Sequence, residues 1–98
     1  MNEKTEALGQ ILGCYFHQDW PDEFESEESV LRAIIESETI EQIRAGVVEI
    51  DMLLAAHLPE NELREILVNM IGCYFNPESQ GISHEQWLKK VREKFAQV

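Results

Sequence analysis

Three residues that could do chemistry together stand within six positions: Cys14, His17 and Asp19. A thiol, an imidazole and a carboxylate in that order can serve as nucleophile, base and orienting group. The same cysteine and histidine could open a metal site, yet no set of four ligands at zinc-finger spacing follows them. Cys73, His57 and His84 complete the cysteines and histidines, and no nucleophile elbow, phosphate loop, dinucleotide fingerprint or paired-histidine zinc motif accompanies them. Bulky aromatics at Tyr15, Phe16 and Trp20 surround Cys14 and His17, so packing accounts for both residues. His17 reads as a half-buried, hydrogen-bonded residue rather than a general base, and the chain as a binder rather than an enzyme.

The residues suited to binding are acids. Asp19, Asp22, Glu23, Glu25, Glu27 and Glu28 fall within ten positions, and no Lys or Arg occurs between Thr5 and Leu31. Such a run can meet the basic side chains of a partner protein. Part of it also has a local explanation: Ser26 is a good N-cap, and Glu27 and Glu28 then sit at the positive end of a helix dipole. Over the whole chain 19 acids face 8 bases, for a net charge of −11. That balance argues against holding a phosphate backbone, which needs a basic face. It suits a basic protein partner, because opposite fields raise association rates, and it also serves plain solubility.

These side chains must be positioned by helices. Leu8, Ile11, Leu12, Tyr15 and Phe16 recur at helical spacing and predict a first helix over 3–16, with Gly9 and Gly13 permitting a close neighbour. The stretch Tyr15-Phe16-His17-Gln18-Asp19-Trp20-Pro21 should then leave that helix and turn over the core, with Pro21 stopping any helix. A second helix follows Ser26 to about residue 37, turning Val30, Leu31, Ile34 and Ile35 inward. A third starts at the capping-box pattern Thr39-Ile40-Glu41-Gln42 and runs to about residue 56. Its inner stripe is Ile40, Ile43, Val47, Ile50, Leu53 and Leu54, widened by Val48 and Met52, and Gly46 allows another helix to cross. The fourth begins at Pro59 and carries Leu63, Ile66, Leu67, Met70 and Ile71 inward until Asn76-Pro77 ends it. Residues 76–82 read as a loop. Ser83-His84-Glu85-Gln86 opens a last helix with Trp87, Leu88, Val91 and Phe95 buried and its bases late, as the dipole prefers. No segment alternates as a strand would. The expected fold is all-α, a compact bundle of about five helices in one domain spanning residues 1–98.

Ninety-eight residues can bury about two-thirds of the unfolded surface, enough for a core without a metal or disulfide. No apolar run approaches the roughly 20 residues of a membrane span, and Met1-Asn2-Glu3-Lys4 does not open a signal peptide. A cytoplasmic location is expected, and with it two buried, reduced thiols at Cys14 and Cys73. Both cysteines lie in an internal echo, Ile11-Leu12-Gly13-Cys14-Tyr15-Phe16 against Met70-Ile71-Gly72-Cys73-Tyr74-Phe75. Two helix exits solving one packing problem explain the echo more simply than a duplication.

The segment Leu12-Gly13-Cys14-Tyr15-Phe16-His17-Gln18-Asp19-Trp20, its acidic sequel and the closing Gly81-Ile82-Ser83-His84-Glu85-Gln86-Trp87-Leu88 resemble the immunity proteins of contact-dependent growth inhibition. The likeness is to the small helical CdiI-type family with a YFHQDW signature near the N-terminus, and it covers nearly the whole chain. It implies a protein that binds and neutralises the C-terminal toxin domain of a CdiA-type effector, a nuclease-like basic protein, and so protects the producing cell. No cofactor is expected, nor a nucleic-acid or membrane partner, and the chain is expected to be a monomer or weak dimer. Because family members meet different toxins, Tyr15, Phe16, His17, Trp20 and Trp87 are assigned to structure. The acids Asp19, Asp22, Glu23, Glu25, Glu27 and Glu28 are assigned to toxin contact. An acidic helical adaptor for another basic protein and a small thiol- or metal-dependent enzyme remain as alternatives.

Overall fold

Side-chain caps set the helix starts. In the computed structural model, which describes residues 6–98, Ser26 Oγ accepts the N–H of Ser29 at 3.2 Å and Thr39 Oγ1 that of Gln42 at 3.1 Å. Ser83 and Gln86 form the full reciprocal box, at 3.1 and 3.0 Å. The box expected at Thr39 is only half made, because the Gln42 amide instead reaches Gln10.

The described residues build six α-helices, three of them begun by these caps, and no strand. Helix α1 covers Glu6–Leu8 and continues as a wider π-helical stretch over Gly9–Gly13; its expected start at residue 3 lies outside the described residues. Helix α2 spans Trp20–Glu23, α3 Glu27–Ser37 and α4 Ile40–Ala55. Helix α5 spans Glu60–Glu65 and runs into a second π-helical stretch, Ile66–Ile71. A 3-10 turn at Pro77–Gln80 sits within the segment expected as loop, and α6 closes the chain over His84–Ala96. Pro21 does not stop a helix. It occupies the first turn of α2, where its missing N–H costs nothing and its fixed φ suits the helix.

Helix α4 packs against α6 on one side and against α1 with its π-helical extension on the other. Ile43 and Ile50 are fully buried and Leu53 nearly so. Val48 and Met52, expected to widen this stripe, are 57% and 44% exposed. Each lies two positions from Ile50, about 200° around the helix, and so faces away. Ile40, at 51%, and Met70, at 48%, are likewise exposed rather than inward.

The glycines are sites of close approach. A Cβ on Gly13 would stand 2.1 Å from the carbonyl oxygen of Ile71, and one on Gly46 2.5 Å from Cδ1 of Ile11. The first contact is where the two copies of the internal echo meet. Gly72 caps the second π-helical stretch with φ +83°, a left-handed conformation suited to glycine. Two residues on, the N–H of Tyr74 donates to the carbonyl of Phe16 at 2.8 Å. Phe16, fully buried, is the hub of an aromatic cluster. Its ring centroid lies 5.4 Å from Trp20, 5.7 Å from Phe75 and 5.5 Å from Trp87, with edge-to-face geometry to both tryptophans.

Two buried acids join distant parts of the chain. Glu49, from the middle of α4, accepts the N–H groups of Ala7 and Leu8 at 3.0 and 2.9 Å, satisfying orphan donors in the first turn of α1. Glu27, 3% exposed, takes the indole N–H of Trp87 and, at 3.1 Å each, the Gln80 amide and the Lys90 ammonium.

Candidate functional site

The cysteine–histidine–carboxylate set does not assemble as a triad. Cys14 is exposed and Cys73 buried, and both are free thiols, so the expectation of two buried thiols holds only for Cys73. Burial pushes the Cys73 thiol up to about 12, which keeps it protonated and a poor nucleophile at neutral pH. The His17 ring is spent within its own turn: Nδ1 accepts the Asp19 N–H at 3.1 Å, and Nε2 lies 2.8 Å from Glu23. With its side chain 36% exposed, it is the half-buried, hydrogen-bonded residue expected. Among the described residues, no group of three or more His, Cys, Asp and Glu is placed to hold a metal ion.

The structure separates the six acids that the sequence placed together. Asp19, Asp22, Glu23, Glu25 and Glu28 are exposed along the turn, α2 and the start of α3. Glu27 is withdrawn from that surface: as the first residue of α3 it points under α6, where Trp87, Lys90 and Gln80 compensate its burial. It therefore leaves the set of candidate contacts. Glu23 is paired with His17. Asp19, Asp22, Glu25 and Glu28 have no ion-pair partner among the described residues and form the exposed acidic edge.

Trp20, at the start of α2, is half-buried against Phe16 and Phe75. Tyr15 donates to Glu38 at 2.8 Å, and burial together with that carboxylate raises its phenol above the ordinary 10.0. A parallel contact joins the starts of α5 and α6. Burial alone would raise the Glu60 carboxyl, but the His84 N–H at 2.8 Å and the His84 ring bring it below its ordinary value. Three of the four bases of α6 are paired: Lys90 with Glu27, Arg92 with Asp51 and Lys89 with Glu85. Sequence reasoning found none of these partners, because every one except Lys89–Glu85 joins different elements.

No helix among the described residues is long and apolar enough to cross a membrane. The larger depression described, about 300 Å³ and open, runs beside Asn61, Arg64, Glu65, Val68 and Asn69 and gathers no reactive pair. The arrangement is thus an aromatic corner beside exposed carboxylates.

Residues 4–95 match the model of the CdiI immunity protein family. The chain belongs to that family. It is also similar to a chain in the crystal structure of a CdiA-CT/CdiI complex from Y. kristensenii 33638. The two share 36% identity with a TM-score of 0.87, over 95% of this chain and 99% of that one. Among curated proteins, none matches. As a member of the CdiI family the chain is a toxin-neutralising immunity protein by kinship.

Proposed function

We propose that this protein binds the C-terminal toxin domain of a cognate CdiA-type effector in the cytoplasm of the producing cell. The toxin domain would be a basic nuclease, and the protein would block it without chemistry of its own. The observation that carries the reading is the family match over residues 4–95, and the likeness to a chain from a CdiA-CT/CdiI complex supports it. The net charge of −11 supports a basic partner, since nucleases hold their substrates with basic grooves. Asp19, Asp22, Glu25 and Glu28 are the contact candidates, with Glu23 beside them. Tyr15, Phe16, His17 and Trp20, the core of the YFHQDW segment that we take as the family's signature, hold the fold. Residues 1–98 act as one unit, a monomer or weak dimer.

The test is co-expression. The toxin domain encoded beside this chain should arrest growth alone and permit growth when this chain is present. The purified pair should form a stable complex in which nuclease activity is lost. A toxin domain that stays lethal beside well-expressed, folded protein would remove the immunity reading and leave the adaptor alternative.

A further inference from the structure

Residues 73–76 link the second π-helical stretch to the 3-10 turn, with Asn76 extended, and burial alternates from Cys73 to Pro77. Cys73, Phe75 and Pro77 are buried, while Tyr74 and Asn76 are exposed. Phe75 enters the aromatic cluster, and Asn76 caps the following turn through its side-chain oxygen. Tyr74 is left without such a use. It is 49% exposed, and among the described residues its ring joins no aromatic pair and its hydroxyl no hydrogen bond. Its counterpart in the echo, Tyr15, is committed to Glu38. The bond from the Tyr74 N–H to the Phe16 carbonyl ties the backbone of this exposed tyrosine to the segment that leads on to Asp19, in the turn, and Asp22, in α2.

We propose that Tyr74 is the aromatic anchor of the toxin-docking surface, with Asp19 and Asp22 on its charged rim and a lysine- and arginine-rich face of a CdiA-type toxin domain as its occupant. This inference rests on the immunity reading above. A tyrosine offers a large apolar face fixed by two torsions, and that face attracts guanidinium and ammonium groups. Carboxylates beside it take the remaining N–H donors of the same cations. Anchors of this kind dominate interfaces when near-neutral contacts around them exclude water. A second copy of this chain suits the surface poorly, because it would bring a net charge of −11 against acids of the same sign. The exposed ridge of Val48 and Met52 on α4 suits a basic partner less well, since Arg44 stands on the same ridge between Ile40 and Val48.

The experiment follows dissociation from the immobilised toxin domain encoded beside this chain, for the parent, Tyr74→Ala, Tyr74→Phe and Val48→Ser, each checked for folding by circular dichroism. Tyr74→Ala should leave about tenfold faster or more, Tyr74→Phe close to the parent rate, and Val48→Ser at the parent rate. A folded Tyr74→Ala that dissociates like the parent overturns the anchor, and so does a loss confined to Val48→Ser. Failure of the parent chain itself to bind would sink the immunity reading and the anchor with it, an outcome distinct from any pattern among the variants. If Tyr74→Ala does not fold, a photo-crosslinking amino acid at position 74 decides. Crosslinks into the toxin domain support the anchor. A complex that forms without them, or with crosslinks only to a second copy of this chain, overturns it.

Discussion

Glu27 shows how far the role of one carboxylate depends on what lies across from it. In the sequence it is one of six clustered acids; in the fold it is the buried acceptor for Trp87, Lys90 and Gln80. Its helix-start position was legible from Ser26, but its burial was not, since the groups that compensate it lie more than fifty positions away. Glu27→Gln should cost about 1 to 3 kcal/mol, because it leaves buried donors with a weaker acceptor. Urea unfolding followed by circular dichroism measures this, and a loss below about 0.5 kcal/mol would place the residue with ordinary surface acids. Cys73 offers a pH test. Its thiol rises from an ordinary 9.0 to about 12 on folding, so the folded state favours the protonated form. The resulting stability is complete below pH 9 and drains away as pH climbs from 9 toward 12. Tyr15, raised above 10.0, acts in the same direction from that value upward. Cys73→Ala should therefore lower stability at pH 7 through lost packing yet flatten its decline above pH 9. An alkaline decline as steep as the parent's would show that other groups govern it.

At the scale of elements, the helices with clear caps and regular periodicity were legible: α3, α4 and α6 begin at Ser26, Thr39 and Ser83, as their capping residues require. The π-helical stretches were not, because Gly9–Gly13 and Ile66–Ile71 carry apolar residues that suit an ordinary helix equally well. They flank the crossing where Gly13 meets Ile71, a tertiary contact that local spacing does not encode. The exposed ridge of α4 was missed for a related reason: an apolar residue can be placed on a face by periodicity, but not every face is covered. The two crossing glycines should respond differently to alanine. At Gly13 the new methyl would meet a backbone carbonyl at 2.1 Å, so the helices must part. Overpacking of this kind costs about 1 to 3 kcal/mol, partly offset by a gain in helix propensity of up to about 1 kcal/mol. At Gly46 the obstacle is the end of the Ile11 side chain, which can rotate, so the net loss should be smaller. Thermal unfolding of Gly13→Ala and Gly46→Ala tests the order, and an equal or reversed ranking would remove the backbone crossing as the tighter constraint.

For the whole molecule, the distribution of charge matters more than its sum. Lys89, Lys90 and Arg92, three of the eight bases, are each paired with an acid. The acids of the exposed edge have no ion-pair partner among the described residues. A net charge of −11 then acts as a field toward a basic partner, and Asp19, Asp22 and Glu25 are exposed carboxylates beside the aromatic corner. Exposed rim charges act chiefly on how fast partners meet, whereas desolvated pairs act on how slowly they part. Replacing Asp19, Asp22 and Glu25 together by serine should slow association with the toxin domain by about tenfold at low salt. It should also flatten the dependence of that rate on ionic strength, because steering is what salt screens. Dissociation should change less than for Tyr74→Ala. Glu23, Glu27 and Glu28 are left intact, since the first holds His17, the second is buried and the third serves the start of α3. Circular dichroism confirms that the triple variant folds, and stopped-flow association at several salt concentrations reads the effect. A folded variant with an unchanged rate and an unchanged salt slope would move the contact away from this edge. The next acids to replace would then be Glu36 and Glu41, exposed on either side of the α3–α4 junction, with Glu38 spared for its bond to Tyr15.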